Sequence, residues 1–232
     1  MILPESSCRN CEREVGAQLE GRILHKTTGP FAGLRLRLDF KSKRPKDRPK
    51  SLPFTITGKD GVPRVVEIPA ARVPKYWFAY ITETSPGIIV GKKADELARG
   101  RFYPMWDVND VKALSDLGTQ ITIQGAGEGR DLARFLAKIA HAMAVARYGI
   151  DAFEPWLPNF ILGKDHCAMH YYVAGHENKT CDQKGIHKVT LGTWEDDGMR
   201  IGARIRLFCK WGTPDYEVAV GRFKQRRNEE EL

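Results

Sequence analysis

The 232-residue sequence lacks the features that would direct a protein to a membrane or out of the cell. No apolar run approaches the roughly 20 residues that a membrane-spanning helix needs. The first residues, MILPESSC, carry neither a basic stretch nor a long apolar core, so they do not form a secretion signal. Five cysteines, an odd number, argue against a disulfide framework and favour a reducing compartment. The sequence therefore predicts a cytoplasmic protein without a membrane partner.

Several common catalytic motifs are also missing. The sequence contains neither of the usual Gly-rich phosphate loops, no G-x-S-x-G nucleophile turn and no H-E-x-x-H helix. The glycine turn GAGEG at 125–129 could hold an anion at the start of the following helix, but it serves equally as an ordinary turn. These absences leave no familiar enzyme class indicated by a short motif alone.

Positive charge is in excess and is concentrated in one stretch. The net charge is +8 and the pI is near 9.3. Residues 35–50, the basic segment, hold eight basic residues against two acidic ones, which is net +6. The eight are Arg35, Arg37, Lys41, Lys43, Arg44, Lys46, Arg48 and Lys50. Such a proline-kinked stretch can neutralise phosphates and release counterions without reading base sequence, which predicts binding to nucleic acid; the alternative is a solvated linker.

Cys8 and Cys11 have the C-x2-C spacing of two ligands on one zinc ion. A closed structural zinc site needs four ligands, so this pair is half of such a site. A redox-active dithiol or two ordinary cysteines are the alternatives that the spacing leaves open. Further candidate ligands lie in residues 166–181, namely His166, Cys167, His170, His176 and Cys181. On a strand, residues three or four apart do not face one point, so ordinary loop histidines explain this segment as well.

Two helices are predicted from hydrophobic periodicity. The first covers residues 12–26, where Val15, Leu19 and Ile23 recur at a spacing of four and form one apolar stripe. The second and clearer one covers residues 130–149 and ends at a glycine. Asp131 is its predicted N-cap, and His141 lies opposite its apolar face, which predicts an exposed imidazole.

Strands are predicted on both sides of the second helix. The candidates before it are residues 53–57, 64–70, 77–84, 87–91 and 118–125. After it, residues 199–222 predict an antiparallel hairpin with a turn at GTPD. Apolar residues alternate along its first strand with Arg200, Arg204, Arg206 and Lys210. That polar face is expected to be the wet side of the sheet, with an extension of the basic surface as the alternative.

The order of these pieces resembles a group of bacterial HNH-endonuclease-like proteins, over nearly the whole chain. The similar stretches are SCRNCEREVGAQLEGRIL, FAGLRLRLDFKSKRPKDRPKSLP, DLARFLAKIAHAMAVARYGIDAFEPWLPNFILGKD and RIRLFCKWGTPDYEVAVGR. In that group two CxxC pairs hold a structural zinc, and a histidine between them activates water beside a catalytic divalent metal. The resemblance implies that Cys8 and Cys11 are the second zinc pair, followed by the helix of a ββα-metal unit. The first pair and the histidine would lie upstream of Met1, so the expected nuclease centre is truncated or degenerate in this chain.

Together these inferences predict an α+β protein. The expected parts are an N-terminal zinc-knuckle and helix remnant at 1–30, a basic linker at 31–50, a mixed α+β domain at 51–222 and a charged tail at 223–232. The expected function is an HNH-endonuclease-like protein that binds nucleic acid, with DNA the expected partner and structural zinc at Cys8 and Cys11. Cleavage would need the missing N-terminal half of the motif to be restored, and a divalent metal such as Mg(II) is expected only in that complete centre. A non-catalytic protein-interaction domain is one alternative. A metal enzyme that uses the 166–181 segment is another.

Overall fold

The computed structural model describes residues 8–25, 29–37, 49–93, 95–96, 100–122, 129–165, 169–177, 185–196 and 198–224. The α-helices are α1 Arg9–Val15, α2 Ala32–Arg37, α3 Val108–Lys112, α4 Gly129–Tyr148, α5 Pro158–Ile161 and α6 Met169–Tyr172. The strands are β1 Ser51–Thr57, β2 Pro63–Pro69, β3 Tyr76–Ile81, β4 Arg101–Trp106, β5 Gln120–Thr122, β6 Phe153–Pro155, β7 Val173–His176, β8 His187–Asp196, β9 Gly198–Leu207 and β10 Asp215–Phe223. A π-helix over Gly16–His25 and 3-10 turns over Ala70–Arg72 and Cys209–Trp211 complete the described elements. Helices and antiparallel strands confirm the predicted α+β class.

The chain divides into two compact units. The first unit comprises Met1–Leu19, Tyr80–Arg101 and Leu132–Leu232, and the second comprises Glu20–Ala79 and Phe102–Asp131. The boundaries of these two units differ from those of the four segments expected from sequence. The division into those four segments stays a prediction. No helix within the described ranges is long and apolar enough to cross a membrane.

The N-terminal helix forms where the apolar stripe predicted it. Val15, Leu19 and Ile23 are all buried, with exposed fractions of 4%, 0% and 2%. Val15 lies in α1, and Leu19 and Ile23 lie in the π-helix that continues it. In both kinds of helix, residues four apart lie close to one face, so the stripe stays continuous. The helix predicted from this stripe is therefore confirmed, whereas its identity as part of a zinc-knuckle remnant stays a prediction.

The second unit is built on a three-stranded antiparallel sheet in the order β2-β1-β5. Strand β1 alternates strictly, so that Leu52, Phe54 and Ile56 are buried while the residues between them are not. These side chains pack with Tyr76 and with α2 in one hydrophobic cluster. A Cβ at Gly33 would lie 2.2 Å from the Tyr76 ring, so α2 can approach this closely only with glycine there.

The first unit is built on a second antiparallel sheet, in which β10 is central. Strand β10 pairs with β9 along one edge and with β6 and β7 along the other, and β8 pairs with β9. The predicted hairpin is therefore confirmed as β9 and β10. Its first strand ends at Leu207 and is followed by the 3-10 turn over Cys209–Trp211, so the connection is longer than the predicted turn at GTPD. The apolar residues of β9 form part of the core, with Ile201, Ala203, Ile205 and Leu207 all buried.

Three local predictions are wrong. Asp131 lies inside the first turn of α4 and is not its N-cap, because the helix already includes Gly129. Residues 87–91 form turns closed by backbone hydrogen bonds such as Ile89 N to Pro86 O, and they do not form a strand. His141 is partly buried and packs edge-on against Phe153 with ring centroids 6.2 Å apart, so burial lowers its pKa.

Candidate nucleic-acid interface

The Cys8 and Cys11 thiols lie together at the start of α1. Cys8 is the N-cap residue, with extended backbone, and its Sγ accepts a hydrogen bond from the Cys11 backbone N–H at 3.3 Å. The two sulfurs are 3.1 Å apart and are not joined as a disulfide. Hydrogen bonds from the Cys11 backbone N–H and from the Cys11 thiol lower the pKa of Cys8. The contact between the two thiols raises the pKa of Cys11. Cys8 is therefore the first of the two to ionise.

These thiols would supply two of the four ligands that a structural zinc requires. Two thiolates on one tetrahedral zinc, each about 2.3 Å from the metal, would lie roughly 3.8 Å apart, slightly further than these sulfurs. Within the described ranges, no group of three or more His, Cys, Asp or Glu side chains is placed to hold a metal. Cys167, Cys181 and His166 lie outside those ranges. Zinc at Cys8 and Cys11 therefore stays a prediction.

The structure describes the two ends of the basic segment. Arg35 and Arg37 belong to α2, and Lys50 is exposed immediately before β1. Arg35 is half-buried, and desolvation lowers its pKa. The remaining predicted phosphate ligands, Lys41, Lys43, Arg44, Lys46 and Arg48, lie outside the described residues. Their binding role stays a prediction that rests on charge.

Both ends of the segment are bonded to the second unit. Arg37 donates a hydrogen bond of 2.8 Å to the Val73 carbonyl and lies 3.8 Å from an Asp110 carboxylate oxygen. At the other end, the Lys50 carbonyl accepts a hydrogen bond of 2.8 Å from Ala70 N–H. Arg37 and Lys50 are therefore both held within the second unit.

The Asp110 that holds Arg37 belongs to a small ion-pair network on α3. Lys75 lies between Asp107 and Asp110, with Nζ–Oδ2 distances of 2.5 and 3.5 Å. The hydrogen bond with Asp107 raises the pKa of Lys75, and the same bond lowers the pKa of Asp107. Asp107 also caps α3 by accepting hydrogen bonds from two backbone N–H groups. This network fixes α3 beside the end of α2.

The arginines of β9 are engaged inside the first unit and do not form an open basic face. Arg206 is only 5% exposed and makes two hydrogen bonds of 2.6 Å to Asp215. Arg200 donates to the Ile88 carbonyl at 3.0 Å and lies over the Trp156 ring. Only Arg204 is well exposed among these three, and it pairs with Glu217 at 3.6 Å. The expected wet face is thus wrong for Arg206, since a partly buried carboxylate on the next strand compensates its charge.

The two histidines of the 166–181 segment that the structure describes lie on different elements. His170 is in α6, and His176 ends β7, where its Nε2 is 3.3 Å from the Glu217 carboxylate. This contact, together with hydrogen bonding from Ser85 and the nearby Arg204 charge, lowers the pKa of Glu217 to about 2. Among the described residues these histidines are not part of a metal-ligand group. A metal enzyme based on this segment gains no support from them.

The second unit also contains a groove that sequence patterns did not indicate. Its volume is about 470 Å³. The lining comes from the end of β4, from α3 and from the residues that lead to β5, namely Trp106, Val108, Val111, Lys112, Leu114, Ser115, Gly118, Thr119 and Ile121. Helical spacing around Val108 and Val111 was too short a signal to reveal it. The groove adjoins the helix that anchors the basic segment.

Comparisons provide no family assignment for this arrangement. The chain matches no family model, no curated protein and no solved structure.

Proposed function

We propose that the protein is an HNH-endonuclease-like, cytoplasmic nucleic-acid-binding protein that holds DNA through the basic segment. The observation that carries this proposal is the charge distribution, because residues 35–50 contain net +6 of the chain's net +8. A charge density of this kind binds phosphates by releasing condensed counterions, and it does so with little dependence on base sequence.

The anchoring of the segment supports the same function. Arg37 and Lys50, near the two ends of the segment, are both hydrogen-bonded within the second unit. Arg37 is already engaged with Asp110 and Val73, and Arg35 is half-buried. The residues expected to contribute most to phosphate binding are therefore Lys41, Lys43, Arg44, Lys46, Arg48 and Lys50.

The proposed function is binding without cleavage by this chain. Hydrolysis by an HNH centre needs a histidine general base beside a divalent metal. The sequence has no Asp-His pair followed closely by a proline, which is the pattern that the resemblance requires. Adding Mg(II) to the purified chain is therefore expected to leave bound DNA intact.

The test replaces Lys43, Arg44, Lys46 and Arg48 with alanine and measures DNA affinity across a salt series. If all four contact phosphates, the slope of log K against log salt should become shallower by about 3 to 4, since each contact contributes about 0.9. The matched control replaces Lys59, Lys92, Lys93 and Lys188, all exposed, with alanine and removes the same charge. An equal effect in both variants, or an unchanged slope in the first, would reject the basic segment as the interface. Wild-type protein that DNA does not retain at low salt would favour the protein-interaction alternative.

A further inference from the structure

The groove beside α3 has the character of a small-molecule site. Its volume of about 470 Å³ lies within the usual range of roughly 300–1,000 Å³ for such sites. Most of its lining is apolar, from Trp106, Val108, Val111 and Ile121, with Ser115 and Thr119 adding hydroxyl groups. A flat, largely apolar group with a few polar edges would suit this lining.

Trp106 gives the groove an aromatic wall that is held in place. The Trp106 ring packs against the Tyr76 ring with centroids 5.6 Å apart and planes tilted by 46°. Tyr76 itself is 1% exposed and packs edge-on against Phe54 and Phe78. The indole is therefore supported by the core of the second unit while it lines the groove. A supported aromatic ring is the kind of platform on which nucleobases stack.

Electrostatics around the groove favour an anionic occupant. Three carboxylates alternate with the lining residues along this part of the chain, and each has a cationic partner. Asp107 and Asp110 pair with Lys75, and Asp110 also lies near Arg37. Asp116 lies 3.1 Å from Arg72. Lys112, in contrast, is an exposed lining residue with no ion-pair partner within the described ranges, so the rim keeps a positive charge.

The groove and the basic segment are connected through the same short helix. Val108, Val111 and Lys112 of α3 line the groove, and Asp110 of that helix holds Arg37 at the end of α2. The basic segment continues directly from Arg37. A nucleic acid that contacts the start of the segment would therefore also lie near the groove.

We infer that this groove accepts an unpaired base of the nucleic acid whose phosphates the basic segment neutralises, with the base against Trp106 and the adjoining phosphate near Lys112. The inference rests on the proposed function and adds to it a preference for unpaired strands. Base recognition by stacking is tolerant of sequence, because every base has an aromatic face.

The test compares an oligothymidylate with an abasic oligomer of the same length, using full-length protein in fluorescence anisotropy. Both probes carry the same phosphates, so the basic segment alone would bind them equally. We expect the oligothymidylate to bind about tenfold more tightly, within the range of base–aromatic stacking. Val108→Asp at the groove rim and Ser115→Trp within the groove should each remove this difference. Val65→Asp is the matched control, since Val65 is 68% exposed and Val108 is 64% exposed.

The outcomes separate this inference from the proposed function. Two results would reject base binding in the groove and leave phosphate binding intact. One is equal affinity for the two probes, and the other is a tenfold difference that persists in both groove variants. A third outcome combines two results: the groove variants abolish the difference between the probes, and the four-alanine variant of the basic segment has the same salt slope as the wild type. This outcome would support base binding in the groove and reject phosphate binding by the basic segment. Failure of the wild-type protein to bind either probe would overturn both. Matching far-UV circular dichroism among the variants confirms that each outcome refers to folded protein.

Discussion

Replacing Arg206 with methionine should destabilise the first unit strongly, although the sequence places this arginine on the polar face of a hairpin. The Arg206 side chain is 6% exposed and its Asp215 partner is 16% exposed, and two hydrogen bonds of 2.6 Å join them across β9 and β10. Methionine would fill a similar volume but leave the partly buried Asp215 carboxylate without this compensating charge. Breaking a buried pair in this way costs about 3–5 kcal/mol.

The measurement is urea unfolding of the variant followed by circular dichroism, with Arg204→Met as the matched control. Arg204 is on the same strand, but its side chain is 60% exposed and its ion pair with Glu217 spans 3.6 Å. Exposed pairs of this kind contribute about 1 kcal/mol or less, so the two variants should differ by roughly 2 kcal/mol or more. Equal losses of unfolding free energy would refute the argument that burial of the Arg206–Asp215 pair determines the cost. Replacing both partners together, with Arg206→Met and Asp215→Leu, should recover much of the loss.

Two further predictions concern the other charged and thiol groups. The pKa of Glu217 is depressed from 4.5 to about 2, so its contribution to stability is present above pH 4.5 and is lost as the pH falls towards 2. Glu217→Gln should therefore flatten the decline of unfolding free energy between pH 5 and 3; parallel wild-type and variant curves would contradict this. Zinc binding measured by a chromogenic chelator should disappear in the Cys8→Ser, Cys11→Ser double variant and persist in His170→Ala, whereas the reverse pattern would favour the metal-enzyme alternative.

Sequence periodicity was sufficient where one regular pattern determined burial. The spacing of four in Val15, Leu19 and Ile23 predicted a buried helical stripe, because that spacing keeps side chains on one face. Strict alternation in residues 199–207 predicted the β9 strand and its pairing with β10 for the corresponding reason. These signals are local, so the chain itself carries them without knowledge of the tertiary contacts.

Predictions failed where a distant partner changed the environment of a residue. The apolar run at 87–91 favoured a strand, yet the turn there is closed by local bonds and by the hydrogen bond from Gly87 N–H to the His170 carbonyl. His141 lies opposite the apolar stripe of its own helix but packs against Phe153. The burial of Arg206 depends on Asp215, and the groove requires β4, α3 and β5 to come together. None of these contacts is encoded by spacing within one element.

The network of Lys75, Asp107 and Asp110 also has a consequence for local unfolding. Helix α3 has only five residues, Val108–Lys112, whereas an isolated helix needs roughly 12–15 residues to persist in water. It therefore depends on its N-cap, Asp107, and on the Lys75 backbone N–H, which donates a hydrogen bond of 2.9 Å to Asp110. When those bonds break, α3 should be among the first elements of the second unit to exchange its amide hydrogens with solvent, because it has little stability of its own.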